Sequence, residues 1–297
     1  MKSTKSKPKI HVRKARASDR EAVFKFCMKT WSWGDYIPKV WDEWLREKNG
    51  RVFVATIEGV PVGISHLNAD RPHEAWLSGA RTDPNYRRMG VATTITKKCL
   101  DYAKRKGAKV ARLTTESDNT AAQAVISKLG FKPTAEFAEM TTKKIAKETS
   151  KNSKWAEKTD TNNVWDYLQT SETYRKASGL YTVLFHWFSL KKQDLKRFIE
   201  QQKTILHLSE TDKIDGIVLL DDITAQEWHK NTIQTCYIDG DSNATFDMIK
   251  FLKSHCHALG IKKIYGFTCN HKPITTALEK LGFEQQETTE IVYEKKM

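Results

Sequence analysis

Several features that would mark a membrane or secreted protein are missing from the 297-residue sequence. No stretch approaches the ~18 consecutive apolar residues that a membrane-spanning helix needs, so no membrane partner is expected. Residues 1–9 are lysine-rich and have no apolar segment. This composition argues against a secretory signal and predicts a basic disordered tail. We therefore expect a cytoplasmic protein.

Cysteine is scarce, and its spacing fits neither disulfides nor a metal site. The five residues form no CxxC pair, and they are Cys27, Cys99, Cys236, Cys256 and Cys269. Without an export signal, reduced thiols are expected. His255, Cys256 and His257 are consecutive, and on a helix consecutive side chains point about 100° apart. We expect no metal.

Acidic residues are depleted only in the first half of the chain. Residues 1–150 contain 30 Lys and Arg against 16 Asp and Glu, whereas residues 151–297 contain 20 of each. Such a basic half indicates an anionic partner, either a phosphorylated cofactor or a nucleic acid. The sequence has no zinc-finger spacing and no aromatic RNA-binding motif, which argues against nucleic acid.

Alternating and helical patterns predict an α/β fold with a mixed (α+β) sheet. Two strands at 51–57 and 60–67 are joined at Glu58-Gly59, which is a hairpin signal. A third strand over 74–82 ends at Asp83-Pro84. Helices over 91–106 and 120–129 flank a strand at 110–115, and each helix is followed by a glycine.

The second half repeats these landmarks. Lys128-Leu129-Gly130-Phe131 recurs as Lys280-Leu281-Gly282-Phe283, and helix-ending glycines precede both copies, at Gly107 and Gly260. Matched landmarks at nearly constant spacing indicate a duplicated domain. We predict a first lobe over 10–145, a linker rich in Lys, Thr, Asn and Ser over 146–179, and a second lobe over 180–297.

The sequence Asp83-Pro84-Asn85-Tyr86-Arg87-Arg88-Met89-Gly90-Val91-Ala92 predicts an anion site. Pro84 ends the strand because it has no N–H to donate. Gly90 allows a ligand to approach the main chain, and the helix from Val91 leaves its first N–H groups unpaired. Phosphate and pyrophosphate bind such helix starts. Arg87 and Arg88 add positive charge.

Arg87-x-x-Gly90-x-Ala92 after a strand and Asp83-Pro84, with Asn119, Ala122 and the Lys128–Phe131 ending, resembles the GNAT superfamily of acyl-CoA-dependent N-acyltransferases. The resemblance is strong over 9–145 and extends to 180–295 only in layout. It implies a GNAT fold in two tandem lobes, a catalytic one at 10–145 and a degenerate one at 180–297, with acetyl-CoA as the cofactor. The implied cofactor-binding residues are Ala80, Arg81, Thr82, Arg87, Arg88, Met89, Gly90, Val91, Ala92, Thr93 and Asn119.

The resemblance implies an N-acetyltransferase that moves an acetyl group to a primary amine by direct attack. Two alternatives stay open. One is a non-catalytic acyl-CoA-binding protein, and the other is a protein acetyltransferase acting on nucleic-acid-associated proteins. Ile126 stands where many GNAT members carry a tyrosine that protonates the departing thiolate. A dedicated acid is dispensable, since a thiol titrates near ~8.5.

The amine must lose a proton, and Glu74, at the start of the strand over 74–82, is the first candidate base. His66 and His73 are alternatives. Trp33 and Tyr36, in an aromatic-rich segment, are predicted to line the acceptor site, and Glu116 to orient the acceptor or cap the next helix. The layout is also similar to tandem GNATs of the histidine N-acetyltransferase group, which does not identify the acceptor.

The second lobe lacks the arginine-glycine loop. At the equivalent position it reads Tyr237-Ile238-Asp239-Gly240-Asp241-Ser242-Asn243. Two aspartates in place of arginines disfavour a phosphate. We expect this lobe to bind no CoA and to serve packing, acceptor shaping or homodimer formation.

Overall fold

A computed structural model describes residues 8–30, 34–223 and 229–297. The chain forms two compact units. The first contains the residues up to Thr114, Asn119–Lys132 and Tyr293–Met297, and the second contains Thr115–Asp118 and Pro133–Val292. Most of the predicted basic tail, and the predicted acceptor residue Trp33, lie outside the described residues.

The elements of the first unit follow the predicted order closely. In chain order they are β1 (His11–Lys14), α1 (Arg20–Cys27), α2 (Ile37–Arg46), β2 (Arg51–Ile57), β3 (Val60–Asn68), β4 (Glu74–Thr82), α3 (Val91–Arg105), β5 (Val110–Glu116) and α4 (Thr120–Lys128). The predicted bounds of β2 and β4 are confirmed. Turn-forming residues flank both strands in the sequence, which is why their ends could be predicted.

The sheet of the first unit has the strand order β1-β2-β3-β4-β5. β1 to β4 pair antiparallel, whereas β4 and β5 pair in parallel. α1 and α2 bury an apolar cluster against β2 and β3, with Trp41 and Ile37 fully buried. The short helices are held by this burial, since isolated helices of their length are marginal in water.

The second unit repeats the alternation of strands and helices. Its elements are β6 (Lys132–Thr142), β7 (Ser153–Trp155), α5 (Thr161–Thr170), α6 (Glu172–Lys176), β8 (Leu180–Val183), β9 (His186–Ser189), α7 (Lys192–Glu200), β10 (Thr204–Leu208), β11 (Ile214–Asp222), β12 (Thr232–Gly240), α8 (Ser242–Ala258), β13 (Lys263–Cys269), α9 (Lys272–Lys280) and β14 (Glu284–Lys296). Across the described ranges of both units, no helix combines the length and apolar character that crossing a membrane requires.

The two units do not follow the contiguous division predicted from the sequence. β6 comes after the first repeat in the chain, yet it pairs antiparallel with β13 of the second unit, from Thr142 opposite Ile264 to Phe137 opposite Cys269. Conversely, the end of β14 belongs to the first unit, where the Met297 amide donates to the Lys109 carbonyl at 2.9 Å. Hydrophobic periodicity predicts a strand but carries no information about which sheet it joins.

Residues 146–179, predicted to be a linker, are ordered and belong to the second unit. They contain β7, α5 and α6, and Val164 and Leu168 of α5 are fully buried. The polar composition misled the prediction because this segment is fixed largely by hydrogen bonds. The Asp247 carboxylate of α8 accepts from the amides of 151 and 152, at 2.8 and 3.0 Å, and from Ser153 Oγ at 2.7 Å.

We predict that Asp247→Asn lowers the free energy of unfolding by about 1–3 kcal/mol at pH 7, because one carboxylate oxygen becomes a donor facing donors. Burial raises the pKa of Asp247, but the bonds from Ser153 and the two amides outweigh it, so the net pKa is lowered. A lowered carboxyl pKa stabilises the fold above its unfolded value of ~3.9 and ceases to do so below the folded value.

Urea titrations at several pH values check this prediction. The advantage of the wild-type chain should be complete above about pH 5 and should shrink as the pH falls through the folded pKa. Asp166→Asn, on the exposed side of α5, is the matched control and should change stability little at any pH. An advantage for the wild type that grows on acidification would contradict the assignment.

Candidate functional site

The loop between β4 and α3 has an unusual backbone conformation just before the first turn of α3. The Asp83 carboxylate accepts from the Asn85 amide at 2.9 Å, which fixes a 3-10 turn over Pro84–Tyr86. Arg88 and Gly90 both have positive φ, at +64° and +93°. A non-glycine residue in this conformation is strained, and such strain concentrates at ligand sites.

The first N–H groups of α3 have no helix partners. Among the described residues, the next amide after that of Arg87 to donate a hydrogen bond to the main chain of this loop is that of Thr94. It donates to the Gly90 carbonyl at 3.0 Å. Gly90 is the N-cap and provides no side-chain cap. The Thr94 hydroxyl also donates to the Gly90 carbonyl at 2.9 Å, so both donors of Thr94 bond to the same carbonyl within the first turn of the helix. No backbone bond of this kind is made by the amides of 88 to 93 among the described residues, and unpaired amides at a helix start are the groups that bind anions.

Space and charge at the loop fit a pyrophosphate. A Cβ built on Gly90 would meet no atom within 4 Å, so the region in front of the helix start is open. Arg87, Arg88 and Met89 are exposed beside it, and no acidic residue occupies the first turn of α3. Val91 is fully buried and packs over Gly63 of β3, which anchors the helix start on the sheet.

β4 carries a bulge near its centre and separates from β5 early. Registered pairs run from Glu74 with Val110 to Trp76 with Arg112 and then stop. On the other side, the register with β3 shifts between Ile64 and His66, and Gly79 has φ +61°. A bulge of this kind releases main-chain groups from the ladder and is common beside active sites.

A chain of polar side chains lies beside the bulge. His66 Nδ1 is 3.1 Å from Ser78 Oγ, and His66 Nε2 is 2.9 Å from Glu47 Oε2. The imidazole is 3% exposed and stacks on Trp44, with ring centroids 4.2 Å apart and planes 5° from parallel. The sequence predicts His66 as an alternative base but does not reveal these partners, which are 19 and 12 residues away along the chain.

Comparison with known proteins agrees with this geometry. Residues 19–131 match the model of the acetyltransferase (GNAT) family. Over these residues the chain is similar to the acetyltransferase domain of that family. An uncharacterized N-acetyltransferase of Methanocaldococcus jannaschii is 28% identical over an alignment of 108 residues. The match covers 32% of this chain and 47% of that protein, so it spans about half of the relative's length.

Solved structures extend the GNAT fold over nearly the whole chain. A GCN5-related N-acetyltransferase from Sphaerobacter thermophilus matches with a TM-score of 0.64 at 9% identity, covering 97% of this chain and 95% of that chain. The glucosamine N-acetyltransferase region of a fungal multi-domain enzyme matches with a TM-score of 0.62 at 13% identity, covering 97% and 38%. At these identities the likeness concerns the fold alone.

Glu74, the predicted base of the GNAT domain, is held in an ion pair. Its carboxylate is 2.8 Å from Arg112 Nη1, and Arg112 Nε is 2.9 Å from Glu294 in the last strand. The Glu74 and Arg112 side chains are 11% and 9% exposed. A guanidinium this close stabilises the charged carboxylate and so weakens it as a proton acceptor. The structure thus gives Glu74 an ion-pair partner, and its role as a base stays a prediction.

Tyr36 is partly buried and packs beside the aromatic cluster of α2. Its ring packs edge-on against Trp44 at 5.9 Å, and burial raises the pKa of its hydroxyl. Arg81, predicted to contact CoA, directs its guanidinium at the fully buried Asp35, with Nε 2.7 Å from Oδ2. The side chain of Arg81 is therefore engaged, and its Nη1 also donates to the Ala80 carbonyl at 3.0 Å, so a contact of Ala80–Thr82 with CoA stays a prediction.

The residues at the end of β5 and just after it include Glu116 and Asn119, and the structure shows which of the two caps the next helix. Asn119 is the N-cap of α4, and its Oδ1 accepts from the Ala122 amide at 3.1 Å. Glu116 is therefore not the cap of that helix. In the second unit, the Glu116 charge contributes to raising the pKa of Glu139, after the larger effect of burial.

No cysteine in the described residues is poised as a nucleophile. All five thiols are buried, and burial raises the pKa of Cys27, Cys99, Cys256 and Cys269 to about 12. The thiolate is the reactive form of cysteine. A covalent acyl-cysteine route therefore has no candidate here.

The second unit closes the equivalent helix start. Between β12 and α8 stands Asp241 alone, whereas residues 83–90 separate β4 from α3. Asp241 Oδ1 caps α8 by accepting from the Ala244 amide at 2.8 Å. Asp239 is 2% exposed and accepts from three hydroxyl groups, those of Ser171 at 2.6 Å, Tyr237 at 2.5 Å and Tyr167 at 3.0 Å.

We predict that Gly79→Ala destabilises the chain more than Gly59→Ala. Both glycines have positive φ, which costs an alanine about 1–2 kcal/mol. A Cβ at Gly79 would also lie 2.6 Å from the buried Trp44 ring, whereas a Cβ at Gly59 meets no atom within 4 Å. Overpacking of this kind adds about 1–3 kcal/mol. Equal losses in urea unfolding would contradict the proposed packing of Trp44 over the bulge.

Proposed function

We propose that the chain transfers an acetyl group from acetyl-CoA to a primary amine, at one cofactor site in the first unit. The observation that carries the proposal is the open, cap-free start of α3, with unpaired amides over 88–93 and two exposed arginines beside it. The family match supports acetyl transfer in general, and the loop supports a pyrophosphate-bearing donor.

The residues of the loop and of β4 would hold the two ends of the donor. The amides of 88–93 would bind the pyrophosphate, with Arg87 and Arg88 adding charge. The main chain of Ala80–Thr82, beyond the last registered pair with β5, would hydrogen-bond the pantetheine arm. When bound, acetyl-CoA supplies an activated acyl group and a good leaving group.

The acceptor amine needs to be neutral before it attacks. At pH 7 this costs about 4–5 kcal/mol for a lysine with a pKa of ~10.4, and about 1–1.5 kcal/mol for an α-amine with a pKa near 8. Main-chain N–H groups beside the bulge in β4 would stabilise the negative charge that develops on the carbonyl oxygen. Ile126, which replaces the tyrosine acid of many relatives, is 7% exposed and donates no proton.

A CoA-release screen tests the proposed function. The panel contains free amino acids, polyamines, peptides with a free N-terminus and lysine peptides, with thiol release followed colorimetrically. We expect amine-dependent release with at least one class. Binding of acetyl-CoA without release for any amine would favour a non-catalytic acyl-CoA-binding protein.

We predict that Gly90→Ala weakens acetyl-CoA binding by about tenfold or more in calorimetry. An alanine at φ +93° is strained by about 1–2 kcal/mol, and relief of that strain would reorient the amides. Gly107→Ala is the matched control. It has φ +80°, lies just after the other end of α3 and also has open space around its Cβ, so stability should fall similarly while affinity is kept.

Reversing both arginine charges tests the electrostatic part of the site. We predict that Arg87→Glu with Arg88→Glu abolishes measurable binding, because two attractive charges become repulsive toward a pyrophosphate. The same reversal at Lys104 and Arg105, in the last turn of α3, keeps the net charge equal and should leave binding nearly intact. Equal effects of the two pairs would indicate a general charge effect and would contradict the loop as the site.

We also predict one acetyl-CoA per chain. In the second unit Asp241 already caps α8, and the buried Asp239 places a negative charge next to it. The stoichiometry from calorimetry on the unmodified protein is the measurement. Two equivalent sites per chain would contradict the assignment of a single cofactor loop.

A further inference from the structure

Glu47, His66 and Ser78 form a hydrogen-bonded chain with a defined direction. A carboxylate can only accept, so the 2.9 Å contact with Glu47 places the proton of neutral His66 on Nε2. Nδ1 then carries the lone pair and accepts from the Ser78 hydroxyl at 3.1 Å. The oxygen of Ser78 keeps its own lone pairs for a further donor.

The surroundings fix this chain in place. Trp44 stacks on the imidazole, and a Cβ built on Gly50 would lie 1.6 Å from Glu47 Oε2, so only a glycine leaves room for that carboxylate. Asn68 Nδ2 is a second neighbour of the same oxygen, at 3.5 Å. Groups held this firmly need little reorganisation when charge develops on them.

The Ser78 end of the chain lies beside the bulge in β4, and the Glu47 side chain at the other end is 21% exposed. His66 is 3% exposed, whereas Ser78 is half-buried and immediately precedes the bulge at Gly79. His66 and Ser78 are direct cross-strand partners on β3 and β4, so their side chains share one face of the sheet. A proton accepted at Ser78 therefore has a path to a buried base.

We propose that Ser78, His66 and Glu47 act as a relay that removes the proton of the acceptor ammonium in the proposed acetyl transfer. The ammonium gives one proton to Ser78 Oγ as the hydroxyl proton moves to His66 Nδ1, and the Glu47 carboxylate balances the imidazolium. The neutral nitrogen then forms the C–N bond as the C–S bond breaks. Its second proton goes to the departing thiolate, and the relay proton returns to solvent.

This assignment rests on the proposed function and differs from the prediction for Glu74. The Glu74 carboxylate is paired with a guanidinium, whereas Ser78 is half-buried and begins a hydrogen-bonded chain that ends in a carboxylate. General base catalysis typically contributes about 10²–10⁴-fold. Loss of the relay should therefore affect turnover far more than binding of acetyl-CoA.

The first arm of the test uses the ligand-free protein. Long-range ¹H–¹⁵N spectra of the ¹⁵N-histidine-labelled chain should show neutral His66 protonated at Nε2, with its signal identified by its loss in His66→Gln. Ser78→Ala should shift the Nδ1 resonance, because that nitrogen loses its donor. Ser65→Ala, the same change one residue from His66, should not. A proton on Nδ1, or no shift in Ser78→Ala, overturns the relay.

The second arm measures turnover with glycinamide and with Nα-acetyl-lysine amide as probe acceptors. Ser78→Ala should lower kcat by about 10²-fold or more with little change in the Kd of acetyl-CoA. Ser78→Thr, which keeps a hydroxyl, should recover most of the rate, and Ser65→Ala should match the wild type. An active wild type with an equally active Ser78→Ala overturns the relay alone. If no amine of the panel raises the rate of CoA release by the wild type, the proposed function is overturned instead.

Discussion

An α-helix cannot satisfy its own first N–H groups, and the two units of this chain meet that constraint in opposite ways. In the first unit, Gly90 starts α3 in a left-handed conformation and brings no side chain to cap it. In the second unit, Asp241 starts α8 and supplies the cap itself. Unpaired amides and a helix dipole attract anions, so the N-cap of the first unit leaves its helix start open to the proposed phosphate contact, whereas the N-cap of the second unit occupies that position itself.

The capped start of α8 in the second unit lies next to a second aspartate, which must also be satisfied. Asp239 is nearly fully buried, and a buried carboxylate is costly unless it is well hydrogen-bonded. Tyr167 of α5 and Ser171 at the start of α6 supply two of its three donors. The segment that resembles a linker in composition therefore provides two of the hydroxyls that satisfy this buried carboxylate.

The sequence predicts what is local and misses what is paired across the chain. The hairpin at Glu58-Gly59, the limits of β4 and the helix start at Gly90 follow from turn chemistry and periodicity, and the structure confirms them. The ion pair of Arg112 with Glu294, which are 182 residues apart, leaves no such signal. Neither does the joining of β6 to β13, because the pattern of a strand does not name its neighbour. Glu74 was a reasonable base on position alone, and only the fold reveals its guanidinium partner.

The bulge in β4 shows why a single position can serve several purposes at once. Gly79 adopts a positive φ, which shifts the register with β3 and frees main-chain groups from the ladder. The same glycine, having no Cβ, lets Trp44 lie close enough to stack on His66. That stacking holds the imidazole between Glu47 and Ser78. The backbone conformation of Gly79 therefore determines both the register shift between β3 and β4 and the position of the Glu47–His66–Ser78 chain. A change that relaxes the bulge should disturb both together.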